Sequence, residues 1–456
     1  MYLPDQFSET LSETAKRAAN YLRGIGERRV APTTDSIGGL KALAGPLPDS
    51  GASPDEILAL LDNVAAPATI ASTAGRYFGF VVGGTVPGAL VASWLNSTWD
   101  QCCGLNVMSP AGAQLESVAL EWVIEVLGLP SGCGGGVVTG CTMANFSAIT
   151  AARYALLERT GWDVVSKGLY GAPEIKVVVS DEVHASVLKA LSLVGFGRDR
   201  VHRVPVDGQG RMRSDALPPL DKMTLVCIQA GNVNTGAFDP AAEICREARQ
   251  AGAWVHVDGA FGLWAHVSPS YQHLTHGFEQ ADSWATDGHK WPNVGYDCGI
   301  VLVREPKHLW AAMNVSAAYF PDDKGREPFQ YTPELSRRAR GVELWAALRS
   351  LGREGLADLI ERTCRYARRM ADDLQSVGYE ILNEVVINQV LVSFGSPEKT
   401  KAVISRVQEE SICWCGGTEW QGKAAMRISI SSWATDERDI EISLDAIKRA
   451  AKAVCG

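Results

Sequence analysis

The stretch "SWATDGHKWPNVGYDCGIVLV" (residues 283–303) places an ionisable amine, Lys290, between two apolar runs of the kind that form buried strands. Surface lysines usually lie among other polar residues, whereas this one is flanked by His289 and Trp291. One interpretation is that the apolar stem of Lys290 lies along the indole while its amine reaches solvent. The other is that the amine is confined, which would lower its pKa and make it a nucleophile toward carbonyl groups.

Short runs rich in Val and Ile alternate with helical segments on both sides of this stretch. The predicted strands are residues 136–140, 175–180, 224–230, 253–258, 283–286 and 299–304. Because strands separated by helices form parallel sheets covered on both faces, we predict an α/β fold with a mostly parallel sheet. The run "SGCGGG" (131–136) precedes a strand and lacks the Lys-Ser/Thr of a phosphate loop, so we interpret it as a flexible connection.

The sequence pattern divides the chain into three segments. Residues 1–60 are polar and helix-like, and residues 61–325 carry the strand–helix alternation. Residues 326–456 combine long helices with weaker strands near 388–394 and 425–431. We therefore predict an N-terminal helical segment, a large domain and a small C-terminal α+β domain.

The composition excludes several classes of protein. The 456 residues are 46% hydrophobic and 21% charged with a net charge of −9, which is ordinary for a globular protein and gives no reason to expect nucleic-acid binding. Pro and Gly interrupt the longest apolar tract, residues 64–95, too often for a membrane helix. The N-terminus has no signal-peptide pattern. Eleven cysteines without regular spacing favour reduced thiols in a cytoplasmic protein and no metal site.

Ligands of open α/β sheets bind at the carboxyl ends of the strands, where this sequence has few reactive side chains. Those side chains are Cys141, Thr142, His184, Asn232, Thr235, Asp258, His289 and Lys290. Taken alone, Asp258 is better explained as a helix cap or a strand-end salt bridge than as a functional carboxylate. An aldehyde cofactor with a basic ring nitrogen would engage both Lys290 and Asp258, which is the chemistry of pyridoxal phosphate (PLP). The helix that begins after Gly140 would bind its phosphate.

The sequence resembles the group II PLP-dependent decarboxylases, the family of aromatic-amino-acid, glutamate and histidine decarboxylases. The resemblance rests on "SPAGAQLE" (109–116), "TGCTMAN" (139–145), "SDEVHASVLKA" (180–190), "GAFDP" (236–240), "HVDGAFG" (256–262), "DGHKW" (287–291) and "SRRARGVELW" (336–345). It implies the aspartate-aminotransferase type of fold (fold type I), with a large PLP-binding domain and a small C-terminal domain. It also implies a homodimer with the active site at the interface, and an N-terminal segment that packs on the partner.

The resemblance implies a role for each candidate residue. Lys290 would form the imine with PLP, Asp258 would pair with the pyridine nitrogen, and His184 would stack on the ring and exchange protons with the substrate. The remaining cofactor contacts would be Cys141 and Thr142 at the phosphate, His289 near it, Ala260 beneath the ring, and Asn232 or Thr235 beside the ring.

The resemblance also implies residues that act on the substrate. Tyr319 would return a proton to Cα after carbon dioxide leaves, and Tyr331 is the competing candidate. Arg427 matches an arginine that faces a carboxylate in glutamate decarboxylases, although a structural salt bridge explains it nearly as well. Val81 and Val82 lie where aromatic decarboxylases have bulky residues around the substrate.

The predicted reaction removes the α-carboxylate of an L-amino acid as carbon dioxide, through the Lys290 imine and a quinonoid, and leaves an amine. An aldehyde synthase or a carbon–carbon lyase similar to sphingosine-phosphate lyases is the alternative within PLP chemistry. A nicotinamide-binding oxidoreductase would need Gly-x-Gly-x-x-Gly after the first strand, which "TGCTMAN" does not supply. A non-catalytic homologue is disfavoured because Lys290, Asp258 and His184 are all present.

Overall fold

The computed structural model describes residues 4–316 and 325–456, which form two β-sheets with helices packed around them. The first sheet contains β1 (Gly134–Val138), β2 (Lys176–Ser180), β3 (His202–Val204), β4 (Thr224–Gln229), β5 (Trp254–Asp258), β6 (Ser283–Asp287) and β7 (Gly299–Val303). The second contains β8 (Glu380–Ile381), β9 (Gln389–Ser393), β10 (Gly416–Trp420) and β11 (Lys423–Ser429).

The first sheet has the strand order β1-β7-β6-β5-β4-β2-β3. Strand β7 runs antiparallel to β1 and β6, and every other neighbouring pair is parallel. The predicted mostly parallel α/β sheet is therefore confirmed. Strand β3 was not predicted, because its three residues lie at the sheet edge and two of them are exposed.

Thirteen α-helices surround the sheets in the described part of the chain. They are α1 (Pro4–Gly24), α2 (Thr34–Gly39), α3 (Pro54–Leu60), α4 (Pro87–Trp99), α5 (Pro110–Val126), α6 (Cys141–Glu158), α7 (Val164–Lys167), α8 (Ala185–Leu193), α9 (Ala241–Ala251), α10 (Pro306–Met313), α11 (Gly341–Ser376), α12 (Pro397–Glu410) and α13 (Glu437–Cys455). None of them is long and apolar enough to cross a membrane.

The first sheet is buried on both faces, which explains why its strands are almost continuously apolar. Along β4, Val226 and Ile228 point into one hydrophobic core, while Leu225 and Cys227 point into the core on the other face. Helix α6 covers the second face, where it packs against β5, β6 and β7. A strand covered on both sides cannot show the alternation typical of a half-exposed strand.

The second sheet is antiparallel, with the order β10-β11-β9-β8. Its buried side chains form a separate core with α11, α12 and α13. Strands β9 and β11 lie where the sequence predicted strands, whereas β8 has only two residues and β10 alternates between exposed and covered positions. This architecture agrees with fold type I and a small antiparallel unit.

The prediction of a flexible connection at residues 131–136 is wrong for the glycine run at residues 134–136. These residues form the first part of β1 and pair with Val301 to Val303 of β7. A Cβ atom on Gly135 would lie 1.7 Å from the carbonyl oxygen of Val301. Glycine is therefore required by the close approach of the neighbouring strand and not by flexibility.

Candidate active site

Lys290 lies just beyond the end of β6, beside the last residue of that strand, Asp287. Its Nζ atom is 3.2 Å from Oδ2 of Asp287, and the lysine side chain is only 19% exposed. Burial alone lowers the pKa of Lys290, but the carboxylates of Asp287 and Asp258 outweigh burial, so the pKa is raised. The predicted lowered pKa is therefore wrong for the free amine, because the sequence did not reveal the nearby carboxylate of Asp287.

Asp258 ends β5 and is surrounded by hydrogen-bond donors. Its Oδ1 atom accepts from the backbone N–H of Ala260 at 3.2 Å and from Sγ of Cys141 at 3.3 Å. Its Oδ2 atom lies 3.3 Å from both Nδ2 of Asn145 and Oγ of Ser186. These donors hold both oxygens of the carboxylate in place at the end of β5.

His184 is the N-cap of α8, and its position in the helix determines which ring nitrogen carries the proton. Nδ1 accepts from the backbone N–H of Ser186 at 3.2 Å and lies 2.7 Å from the Ser186 hydroxyl. Burial lowers the pKa of His184, although Asp258 opposes that effect. The neutral ring therefore carries its single proton on Nε2, and Ser186 links it to the Asp258 carboxylate.

The N-terminus of α6 forms the cradle that the sequence predicted for a phosphate. The backbone N–H of Cys141 donates to Oδ1 of Asp287 at 2.6 Å. A Cβ atom on Gly140 would lie 3.2 Å from Cε1 of His289 and 3.7 Å from Oδ1 of Asp287, so glycine keeps this space open. The first N–H groups of a helix have no partner within it and favour an anion.

His289 closes the other side of this cradle. Its ring stacks on Tyr296 at a centroid distance of 4.4 Å, and its Nδ1 atom accepts from the backbone N–H of Cys298 at 3.2 Å. Burial lowers the pKa of His289, which leaves one proton on Nε2, 3.6 Å from Oδ1 of Asp287. Thr286 precedes Asp287 on β6. Its hydroxyl is buried and has no hydrogen-bond partner among the described residues.

Asn232 and Thr235 are used within their own loop. Oδ1 of Asn232 accepts from the backbone N–H groups of Asn234 and Thr235, and the Thr235 hydroxyl donates to the carbonyl of Gln209 at 2.7 Å. Nδ2 of Asn232 is buried without a partner in the described part of the chain. Their role beside a cofactor ring stays a prediction.

Arg427 is partly buried on β11, at the edge of the loop that follows β4. Its Nη1 atom donates to the carbonyl of Val233 at 3.3 Å, and burial lowers its pKa. Within the described residues it forms no ion pair with a carboxylate, which argues against the structural salt bridge considered from the sequence.

The segment before α4 runs over the backbone of Lys290. A Cβ atom on Gly83 would lie 2.0 Å from the carbonyl oxygen of Lys290. Val81 belongs to the buried core, whereas Val82 is half-buried. The substrate contacts predicted for these two valines stay predictions.

Tyr319 lies outside the described residues. Tyr331 is described, and its ring is covered by the guanidinium of Arg326 at 4.9 Å. Arg326 in turn pairs with the buried Glu116. Tyr331 is therefore held in a structural cluster, and the choice between the two tyrosines stays a prediction.

Sequence reasoning missed four residues of this cluster: Asp287, Asn145, Ser186 and His256. Each was visible as a polar residue in an otherwise apolar strand or at the start of a buried helix. All four are buried, and burial of a polar group requires a partner. The sequence does not show which partners these groups have, since the contacts join residues more than 70 positions apart.

The described residues fit PLP. Three features lie at the carboxyl ends of strands in the first sheet. They are the amine of Lys290 after β6, the carboxylate of Asp258 at the end of β5, and the anion cradle at the start of α6 after β1. The space that Gly140 leaves open beside His289 and Asp287 suits a bound phosphate. The Asp287 carboxylate already accepts from one N–H group of the cradle. This site therefore contains a negatively charged side chain in addition to its N–H donors.

Comparison with known proteins gives consistent matches. Residues 45–395 match the family described as the pyridoxal-dependent decarboxylase conserved domain. An aromatic-L-amino-acid decarboxylase of Drosophila lebanonensis is 31% identical over 395 residues, which is 80% of this chain and 95% of that protein. An acidic amino acid decarboxylase of Mus musculus is 30% identical over 74% of this chain and 63% of that protein. The crystal structure of Oryza sativa TDC with PLP and tryptamine has a similar fold, with a TM-score of 0.91 and 21% identity over 100% of both chains.

Proposed function

The chain belongs to the pyridoxal-dependent decarboxylases, and from this premise we propose that Lys290, Asp258 and His184 carry its chemistry. It is a PLP-dependent enzyme that removes the carboxylate of an amino acid as carbon dioxide and leaves an amine. The observation that supports the assignment is that contacts join Lys290, Asp287, Cys141 and Asp258 at the carboxyl end of the first sheet.

PLP supplies an aldehyde that condenses with amines and a protonated ring that accepts the electrons of the bond that breaks. Lys290 presents the amine that holds the cofactor in the resting enzyme. Asp258, held by its donors, would accept a hydrogen bond from the protonated ring nitrogen. Cys141 and Thr142 at the start of α6, together with Nε2 of His289, would hold the phosphate, and the N–H of Cys141 also donates to Asp287.

His184 has two proposed tasks. Its ring would stack on the outer face of the cofactor, and its Nε2–H would donate to the substrate carboxylate. Because Ser186 fixes Nδ1 as an acceptor, Nε2 is the donor. Tyr319 would deliver a proton to Cα, and Ala260 would support the ring.

Arg427 is proposed to bind a carboxylate of the substrate. Arg427 is partly buried, and within the described residues its guanidinium donates to carbonyl and amide oxygens without meeting a carboxylate. Removal of a charged group from water without a counter-ion is unfavourable, so an anionic ligand would stabilise the site. This favours amino acids with an acidic side chain over aromatic ones.

The test is a screen of the purified holoenzyme against the common L-amino acids, with carbon dioxide and amine measured together. We expect equal amounts of both products for the true substrate and faster turnover of acidic substrates. Lys290→Ala should abolish turnover and the visible absorption of the lysine-bound cofactor. Retention of both properties in that variant would contradict the assignment of Lys290.

An aldehyde synthase is the second candidate. Rhodiola rosea 4-hydroxyphenylacetaldehyde synthase has a similar fold, with a TM-score of 0.86. Aldehyde and ammonia in place of amine in the screen would identify that activity, and an aldehyde without carbon dioxide would indicate carbon–carbon cleavage.

We also propose that the enzyme is a cytoplasmic homodimer whose N-terminal helices pack on the partner subunit. Most residues of helix α4 are apolar, yet only Ala89 and Asn96 are buried. Val91 and Trp94 are 63% and 44% exposed. An exposed apolar helix of this kind supports burial against another chain. The cytoplasmic location rests on the pattern of cysteines in the sequence.

A further inference from the structure

We propose that Asn145 is a positioning residue that keeps Asp258 a charged acceptor for the cofactor's ring nitrogen, and that His256 and Ser283 hold Asn145 in the orientation this requires. The proposal rests on the role proposed for Asp258 and adds three residues that do not touch the cofactor. All three side chains belong to buried residues with no solvent exposure.

These residues form one continuous chain of hydrogen bonds behind the site. Nε1 of Trp254 donates to Oγ of Ser283 at 3.0 Å, and Ser283 Oγ lies 3.0 Å from Nδ1 of His256. Nε2 of His256 lies 2.9 Å from Oδ1 of Asn145. Nδ2 of Asn145 then reaches Oδ2 of Asp258 at 3.3 Å. The chain thus connects α6 with β5 and β6.

The direction of every bond follows from the charge at the end of the chain. An ionised carboxylate accepts only, so the amide nitrogen of Asn145 must face Asp258 and its oxygen must face His256. Burial lowers the pKa of His256 to about 4, so the ring is neutral. Because Nε2 faces the amide oxygen of Asn145, the single proton of the ring lies on Nε2. Nδ1 then accepts from the Ser283 hydroxyl, whose oxygen accepts from Trp254.

A chain in which each donor is also an acceptor is polarised along its length. The amide of Asn145 therefore donates more strongly to Asp258 than an isolated amide would. This matters because one proton is shared between the ring nitrogen and the carboxylate. Donors that stabilise the charged carboxylate keep that proton on the nitrogen, where electron withdrawal requires it.

The experiment measures the protonation of the ring nitrogen in holoenzyme reconstituted with ¹⁵N-labelled PLP, by nuclear magnetic resonance. Asp258→Asn provides the reference for a nitrogen without its carboxylate. Asn145→Leu is expected to move the nitrogen resonance toward that reference, because loss of one hydrogen bond to a charged group reduces the ratio of protonated to unprotonated nitrogen by about tenfold. Thr150→Val is the matched control, since this buried α6 hydroxyl bonds only to the carbonyl of Phe146.

The link through His256 is tested with Ser283→Ala. This variant removes one hydroxyl and should shift the resonance in the same direction by a smaller amount. In the Asn145→Leu background the same change should have no further effect, because the connection to Asp258 is already broken. Ser283→Ala also carries the test where Asn145→Leu does not retain the cofactor.

Two results would overturn the proposal in distinguishable ways. If Asp258→Asn shifts the resonance while Asn145→Leu and Ser283→Ala leave it at the wild-type position, the positioning chain is wrong and the role of Asp258 stands. If Asp258→Asn itself has no effect, the role of Asp258 is wrong as well. A purely structural contribution of Asn145 would reduce thermal stability without moving the nitrogen resonance.

Discussion

At the scale of single residues, Asp287 links the two halves of the candidate site. One of its carboxylate oxygens accepts from the N–H of Cys141, and the other pairs with the amine of Lys290. This residue belongs to the "DGHKW" motif, but the sequence alone predicts no role for it. Its importance comes from the turn after β6, which brings residues three positions apart into contact.

Asp287→Asn should lower the pKa of Lys290 in the cofactor-free protein. Asp287 is the strongest of the groups that raise this pKa, and its loss leaves burial as the dominant effect. We expect the pH of half-maximal reaction of Lys290 with an amine-directed reagent to fall by about one unit or more. Mass spectrometry of the labelled peptide would measure this rate.

Lys423 is the internal control for that experiment, because it pairs with the distant Glu380 on the surface. Its labelling profile should be the same in both proteins. An unchanged profile for Lys290 would mean that another group determines the charge of its amine.

Two tyrosines compete for the protonation of Cα. Tyr319→Phe should slow amine formation by about a hundredfold or more, the usual contribution of a positioned proton donor. Tyr331→Phe should have little effect on the rate, because this ring packs against Arg326. Single-turnover measurements of amine release would distinguish them, and the opposite order of effects would transfer the role to Tyr331.

At the scale of secondary-structure elements, a buried ion cluster fixes the edge of the first sheet. Glu116 of α5 pairs with Arg337 and Arg326, with nitrogen–oxygen distances of 3.1 Å to each. The two arginines also donate to the carbonyls of Val137 and Gly135 in β1, both at 2.7 Å. Since β1 is an edge strand, these bonds satisfy carbonyls that no further strand can reach.

Glu116→Gln should destabilise the protein by about 3–5 kcal/mol, because it leaves buried arginine charge without a counter-ion. Glu125→Gln on the same helix is the control and should change stability by less than about 1 kcal/mol, since its pair with Arg353 is exposed. Urea unfolding would measure both. Equal stability of the two variants would contradict a structural role for the cluster.

The same cluster predicts an acid dependence. Burial alone raises the pKa of Glu116, but Arg337 and Arg326 outweigh it and the pKa is lowered. A carboxyl group with a lowered pKa stabilises the fold fully above its ordinary value of 4.5, and this contribution is lost as the pH falls below it. The Glu116→Gln variant should therefore lose less stability between pH 7 and acidic pH than the wild type.

At the scale of the whole molecule, the exposed apolar residues of α4 predict that a second chain packs against this helix. We expect the wild type to sediment as a dimer. Val91→Glu should shift it toward the monomer and reduce activity, because a charge would have to be buried in the interface. Tyr170→Glu, at a site that is 97% exposed, should remain dimeric. A fully active monomeric wild type would contradict the proposed assembly.

The predicted boundaries after residues 60 and 325 remain predictions. The structure has two separate sheets, and the core of the second sheet is separate from the two cores on the faces of the first, which agrees with two units. Helix α11, however, packs against α4 and α5 as well as against β9 and α13. A helix shared between cores weakens any boundary drawn from sequence pattern alone.

The sequence by itself determined the class of sheet and the cofactor, and it predicts Lys290, Asp258 and His184 as the site residues. These follow from local features, namely apolar runs that need burial and reactive groups at their ends. Only the tertiary structure decided the charge of the Lys290 amine, the proton positions on His184 and His256, and the need for glycine at 135. The need for glycine at 135 and the proton position on His256 depend on residues that are distant in the chain, whereas the charge of Lys290 and the proton position on His184 depend on the local backbone at the turn after β6 and at the N-cap of α8. In each case the electrostatic and steric energies depend on distances of a few ångströms, which residue spacing alone does not determine.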